Sequence, residues 1–223
     1  MDSTPFMHDL CNGLKIEFST YRRGTDKEHF KFVQSIYPHK TELEEAVIKA
    51  RVQYPYKPNT RARTTFCVTN RERKRINKSE NELERLTKND AILINYDCSE
   101  KNKGQSMYIW PGLILQSYST DRKSKKYNIK NGLFYKIIEI NDGVITFQYL
   151  DNDQKVSGDL MYLTKDEIAH KLLLCYAYTY HKTQGRTIHG TIRLAETSSK
   201  NFTLRHLIVG LGRGPEGKNI QVM

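Results

Sequence analysis

No GxxxxGK[ST] loop occurs anywhere in the 223 residues, so the sequence lacks the central part of a phosphate-binding machine of that type. A Gly-x-Ser-x-Gly nucleophile elbow is missing as well. The four cysteines, Cys11, Cys67, Cys98 and Cys175, lie far apart and form no CxxC pair, which argues against a zinc ribbon or a disulfide framework. Buried reduced thiols are the expectation. Long apolar runs are also missing: the longest, Leu172 to Tyr178, is far short of the roughly 20 residues that span a bilayer. His8 and Asp9 interrupt any signal-peptide core in "MDSTPFMHDL", so an intracellular location is expected, with a nuclear or viral replication compartment both compatible.

What is present is a chain with 38% hydrophobic and 27% charged residues, in the range of folded globular proteins. Its length suits one α/β domain carrying a smaller inserted module. The net charge is +11, and three segments carry the excess: residues 61–88, 118–136 and 165–223 each hold a net +5, whereas 137–164 hold −4. Convergence of the three segments would make a polyanion-binding face, and dispersal would leave three solvated surfaces. Charge alone leaves both readings open.

Along the chain, "TELEEAVIKARVQ" (41–53) predicts a helix opened by a Thr41/Glu44 capping box, with Leu43, Val47 and Ala50 on one face. "TTFCVT" (64–69) predicts a buried strand. Asn70 can cap the following helix, "RERKRINKSENELERL", whose first half is basic and whose Ile76, Leu83 and Leu86 are expected to face inward. Short strands follow from about 91 to 165, and the Asp-Gly of "NDG" between "LFYKIIEI" and "VITFQYL" signals a hairpin turn. The α/β pattern then resumes: "KLLLCYAYTY" as one buried strand, "TIRLA" as another, "TLRHLIVGL" as a helix and "KNIQVM" as a closing strand. The expected division is therefore 1–90, an inserted β-rich module at 91–165, and 166–223 returning to the first fold.

Several motifs have competing explanations. "GLGRGPEG" contains GxGxG but has no βαβ unit behind it, so its glycines read as a helix stop that leaves Arg213 just past the helix end. An arginine held there is suited to a phosphate, and a plain helix terminus is the duller account. "YRRGTD" pairs Arg22 and Arg23 in a loop near Asp26, as a solvated pair or a ligand contact. His181 and His189 lack a third ligand, so no metal site is expected. Tyr176, Tyr178 and Tyr180 alternate as core residues on one strand face would. In "DRKSKKYNIKNG", five cations surround Tyr127, the combination of a single-strand-binding platform or of a solvated hairpin tip.

Taken in order, "FSTYRRGTD", "FCVTNRERKRIN", "NIKNG", "YTYHKTQGRTI" and "HLIVGLGRG" resemble the later motifs of superfamily 1 DNA helicases, specifically the RecD-like 5′-to-3′ branch. "TYHKTQGRT" is similar to that branch's T-x-H-K-[ST]-Q-G-x-T. The resemblance implies a RecA-like parallel sheet, the second motor domain, with a small SH3-like β-barrel inserted over the DNA. It implies that Arg213 and Arg23 (or Arg22, one register away) meet the γ-phosphate of ATP, and that Gln184 and Gly185 face the nucleotide. Thr179, His181, Lys182 and Thr183 would line single-stranded DNA, joined by Asn70 and by Lys123, Lys125 and Lys126 of the basic loop. ATP with Mg²⁺ would be held mostly by a first RecA-like domain, in cis or trans, that these residues do not include. The apolar run "AILINYD" ends in Asp97, but no P-loop precedes it. Gly212 stands where the branch carries Ser, and without a P-loop lysine or a magnesium ligand the chain alone is not expected to hydrolyse ATP. The alternative is a non-enzymatic single-strand-binding module of the same descent.

Overall fold

The computed structural model describes residues 24–36, 41–96, 104–118, 129–151, 155–183 and 187–223. Two helices open it, α1 (Lys27–Ser35) and α2 (Leu43–Gln53). Next come strand β1 (Thr64–Cys67) and helix α3 (Asn70–Arg85). Late in the chain come β9 (Ala177–Thr179), a 3₁₀ turn (Tyr180–Thr183), β10 (Ile192–Leu194), helix α5 (Leu204–Leu211) and β11 (Ile220–Val222). Strands β11, β10, β1 and β9 lie side by side in that order, all parallel. All four side chains of β1 are buried, as befits a central strand covered on both faces. The chain leaves β1 to one side for β9, then crosses to the other side for β10 and β11, so the topology reverses beside β1. In open parallel sheets, ligands bind outside the carboxyl ends of the strands at such a point.

Residues between these halves form a second body around its own apolar core, from Ile94 through Ile109, Leu115, Ile137 and Phe147 to Leu174. It comprises β2 (Ile92–Ile94), β3 (Met107–Ile109), β4 (Ile114–Ser117), β5 (Phe134–Asn141), β6 (Val144–Leu150), β7 (Val156–Thr164), α4 (Lys165–Lys171) and β8 (Leu172–Leu174). β2 pairs with β3, and the others form an antiparallel sheet ordered β7-β6-β5-β4-β8. The Asp-Gly hairpin is present between β5 and β6: Asp142 and Gly143 both have positive φ, 46° and 82°, as a two-residue turn of this kind needs.

"KLLLCYAYTY" is not one strand. Leu172–Leu174 pairs antiparallel with β4, while Ala177–Thr179 pairs parallel with β1, and the chain bends between them. A short apolar run satisfies burial in either sheet, so periodicity cannot reveal the break. Tyr180 consequently leaves the strand for the 3₁₀ turn, although it and Tyr178 are buried; Tyr176 is half-buried.

The inward face of α3 also differs from expectation. Leu83 and Leu86 are 56% and 71% exposed, Ile76 is half-buried, and the buried positions are Arg73, Asn77 and Asn81. The helix lies against two sheet edges, where open backbone groups and not apolar side chains need partners. Asn77 receives the Ala177 N–H at 2.8 Å and donates to the Ala177 carbonyl at 3.3 Å. One turn on, Asn81 does the same for Tyr108 of β3, at 2.7 and 2.9 Å. Two asparagines at i and i+4 thus act as a surrogate strand joining the two bodies.

Two helix starts shift as well. Thr69 caps α3, accepting from Glu72 N at 3.2 Å, while Asn70 is the first helical residue and its Oδ1 accepts from Arg73 Nε at 3.2 Å. Helix α2 begins at Leu43 after Glu42, with no side-chain cap, so the Thr41/Glu44 box does not form. Glu44 and Glu45 in its first turn meet the positive end of the helix dipole instead.

Candidate nucleic-acid and phosphate face

At the carboxyl edge of the parallel sheet, three chain segments meet. β1 ends at Cys67 and leads through Thr69 into α3, β9 ends at Thr179 and leads into the 3₁₀ turn, and β10 ends at Leu194, two residues before Glu196. The Glu196 carboxylate accepts from Val68 N at 2.6 Å, Thr69 N at 3.0 Å and Thr69 Oγ1 at 3.1 Å, and so fixes the β1–α3 turn. Its φ of +58° is uncommon outside glycine, and these three bonds hold it there. Sequence reading missed Glu196; its only signal was an acidic residue directly after a strand in a basic segment.

The 3₁₀ turn carries His181, Lys182 and Thr183 away from that edge. Tyr180 anchors it from below: its hydroxyl donates to Ala195 O at 3.0 Å, and its ring packs against Phe66, Phe202 and His206. Thr183 Oγ1 closes the turn on Tyr180 O at 2.7 Å. Helix α5 lies alongside and grips the turn at both ends. At its start, His206 stands edge-on to His181 with ring centroids 5.2 Å apart, and its Nδ1 accepts from Thr203 N at 3.1 Å. Burial, with help from His181 and Arg205, lowers the pKa of His206. At its finish, Arg213 Nε donates to Val209 O at 3.1 Å and Nη1 to Thr183 O at 3.4 Å. Gly210 permits this close packing, since a Cβ there would stand 2.7 Å from Leu194 and 2.9 Å from Tyr180.

Beyond Thr183 the chain returns at Ile188, whose N–H donates to Arg213 O at 2.9 Å, and reaches the amino edge of the sheet at Thr191. Thr183 and Ile188 thus both bond to Arg213 at the end of one helix. The Arg213 loop also holds the N-terminal segment. Asp26 accepts from Gly217 N at 2.9 Å and caps α1, and a Cβ on Gly24 would meet Pro215 O at 2.2 Å. Gly24 follows Arg23 in sequence, so two motifs about 190 positions apart have neighbours in contact.

Of the expected site residues, exposed His181 and half-buried Lys182 and Arg213 lie around the 3₁₀ turn, Thr179 and Thr183 are buried beneath it, and Asn70 begins the helix that follows β1. Arg22, Arg23, Gln184, Gly185, Lys123, Lys125, Lys126 and Tyr127 lie outside the described residues, as do Asp97, Cys11 and Cys98. Cys67 is buried, and burial followed by the nearby Glu196 pushes its thiol pKa up to about 12, so it is no nucleophile. No cluster of three metal-ligating side chains occurs among the described residues, and no helix there is long and apolar enough to cross a membrane.

His29 ties the Arg213 loop to the core. It is 2% exposed, accepts from the Tyr54 hydroxyl at 2.7 Å and donates from Nε2 to Leu211 O at 3.2 Å. Burial lowers its pKa below 6.5. Between that lowered value and 6.5 the unfolded chain holds a proton that the native chain does not, so stability falls as pH drops through this window. His206 acts in the same sense. Asp26, lowered by the His29 and Gly217 amides, contributes stability that is lost only below its unperturbed value of 3.8. A Tm series is therefore expected to decline from pH 7 to pH 5 and again below pH 4. A His29→Gln variant, neutral throughout, should be flatter in the first window; an equal decline in the variant would assign it elsewhere.

No family model matches the sequence, and no curated protein sequence is similar to it. Solved structures are similar in fold. A structure of two coordinating Pif1 helicases at forked double-stranded DNA matches with a TM-score of 0.61 at 19% identity, over 91% of this chain and 48% of that one. Bacteroides Pif1 bound to single-stranded DNA matches at 0.59 and 18%, over 93% and 51%. Candida albicans Pif1 matches at 0.55 and 14%, over 92% and 55%. The chain spans about half the length of these helicases. Its parallel sheet with flanking helices shares their helicase-related fold.

Proposed function

We propose that the chain is the second motor domain of an ATP-dependent 5′-to-3′ DNA helicase, working with a first RecA-like domain that carries the P-loop. The observation that carries this reading is that α5 stands beside the turn holding Lys182 and ends in Arg213, whose Nη1 donates to Thr183 O and whose carbonyl accepts from Ile188 N. Single-stranded DNA would lie across His181 and Lys182, over the buried Thr179 and Thr183 that shape the turn, with Asn70 at the start of the helix after β1. ATP would lie against Gln184, Gly185, Arg213 and Arg23, between the two domains. The Gly24–Pro215 contact supports Arg23 reaching the same nucleotide as Arg213. Such arginines neutralise charge developing on the transferred phosphoryl group, and Mg²⁺ with the P-loop lysine would supply the rest from the first domain. The second body would act as the SH3-like module over the strand, with Lys123, Lys125 and Lys126 toward the phosphates. Bacteroides Pif1 also has a structure with ADP-AlF3 and single-stranded DNA, which is consistent with both ligands.

The isolated chain is expected to bind a fluorescent single-stranded oligonucleotide with strong salt dependence and to show no ATPase. Lys182→Ala should reduce the slope of log K against log[salt] by about 0.7, the contribution of one single-strand phosphate contact. Absence of binding at low salt, or turnover by the pure chain, would overturn the reading. Coding sequence upstream of Met1 should also contain GxxxxGK[ST] and an Asp-Glu pair.

A further inference from the structure

Where α3 meets the second body there is a crevice of about 340 Å³ lined by Lys74, Arg75, Lys78, Gln105 and Ser106. Three observations describe it as a built site. Its walls are locked together: Asn81 exchanges two hydrogen bonds with Tyr108 on β3, and the Arg85 guanidinium lies 4.6 Å over the Tyr108 ring. The far wall is fixed too, because Ser106 Oγ accepts from Tyr96 N at 3.0 Å and Gly104 is pressed so close to the Tyr96 ring that a Cβ would stand 2.6 Å from it.

The charge is unbalanced. Arg71, Lys74, Arg75 and Lys78 fall at helical spacing on one side of α3, and among the described residues the carboxylates paired with them are Glu72 and Glu82. Glu72 holds Arg75 at 2.6 Å and Glu82 stands 3.9 Å from Lys78, while Lys74 has no carboxylate within ion-pair distance among the described residues. One polar atom is also left over: Gln105 Oε1 is buried with no donor among the described residues. A buried acceptor without a donor costs on the order of 1–3 kcal/mol, so a donor is expected to complete it.

Cations ask for an anion and the orphaned carbonyl asks for an N–H or O–H; a nucleotide unit of a strand presents both. We propose that this crevice is a second nucleic-acid site, in which Lys74 and Lys78 meet backbone phosphates and Gln105 Oε1 accepts from a base. This rests on the reading of the chain as a single-strand-binding motor domain. The site begins at Lys74, one turn beyond the α3 start, and reaches Lys78 one turn later, about 6 Å further along the helix axis. It lengthens the strand's footprint from the parallel-sheet domain onto the second body.

The test titrates the 223-residue chain with adenine-containing and abasic single strands across a salt series. Lys74→Gln/Lys78→Gln, both partly exposed changes whose fold circular dichroism can check, should lower the salt slope by about 1.4 on either strand, two contacts at about 0.7 each. Gln105→Leu should weaken binding of the adenine strand several-fold and leave the abasic strand and the slope unchanged. An unchanged slope in the double variant, or an equal effect of Gln105→Leu on both strands, overturns this site while Lys182→Ala still weakens binding. No binding by the unaltered chain overturns the site together with the motor reading.

Discussion

Asn77→Leu is expected to lower the unfolding free energy by about 3–5 kcal/mol, a large loss for a single residue. Leucine shares the branching of asparagine but has bulkier methyl ends, so the loss combines unpaired polar groups with some overpacking. Asn77 is fully buried and pairs with both the N–H and the carbonyl of Ala177, on the outer edge of β9. Leucine would leave that pair dry and unpaired, at about 1–3 kcal/mol for each group. Asn77→Asp would restore only half: a carboxylate still accepts from the Ala177 N–H but repels the carbonyl, and burial opposes its charge. Asn81→Leu should cost less, because its site beside Tyr108 is only partly closed from water. Urea unfolding of the three variants, with m-values compared, measures the order. A loss below about 1 kcal/mol for Asn77→Leu would mean that water reaches the β9 edge.

The same residues explain how far the sequence could be read. Signals that are local survived into the structure: the β-branched run of β1, the Asp-Gly turn between β5 and β6, and the glycine-terminated helix that leaves Arg213 at its end. What failed depended on what lay opposite. The inward face of α3 looks apolar by periodicity only if the surface it covers is apolar, and it covers backbone edges. "KLLLCYAYTY" could not disclose that its two halves join different sheets, since both need the same residues. Asn70 and Thr69 are both good caps, and only the turn held by Glu196 decides between them. For the candidate site, the "YHKT" stretch and Arg213 were legible as candidates, but their contact was not. Nothing in the spacing of positions 183 and 213 says that one helix end reaches back to the turn beside its own start. The crevice at Lys74 was visible only as a basic half-helix, because Gln105 and Ser106 reach it from the other body.

In a polypeptide joining this chain to its P-loop domain, Arg213→Ala should reduce the ATPase kcat by about 10³ or more, while single-strand affinity stays close to the unaltered value. The separation follows from the geometry. Arg213 sits past α5 and meets the 3₁₀ turn at buried Thr183, whereas exposed His181 and half-buried Lys182 are the turn residues that a strand would meet. Two carbonyls, Val209 O and Thr183 O, take the guanidinium's Nε and Nη1, which fixes the plane of the fork before any ligand arrives. Holding the fork in advance is what lets an arginine stabilise a transition state without reorganising at the moment of reaction. Gly212 at the helix end does not loosen it, because the helix still closes there through Gly212 N to Ile208 O at 2.9 Å. Arg213→Lys should recover little, since an ammonium cannot span both carbonyls and a phosphoryl oxygen with fixed geometry. Loss of DNA affinity in step with kcat would assign Arg213 to the shape of the 3₁₀ turn through Thr183. Unchanged turnover would remove Arg213 from the phosphoryl site and leave Arg23 as the residue to test next.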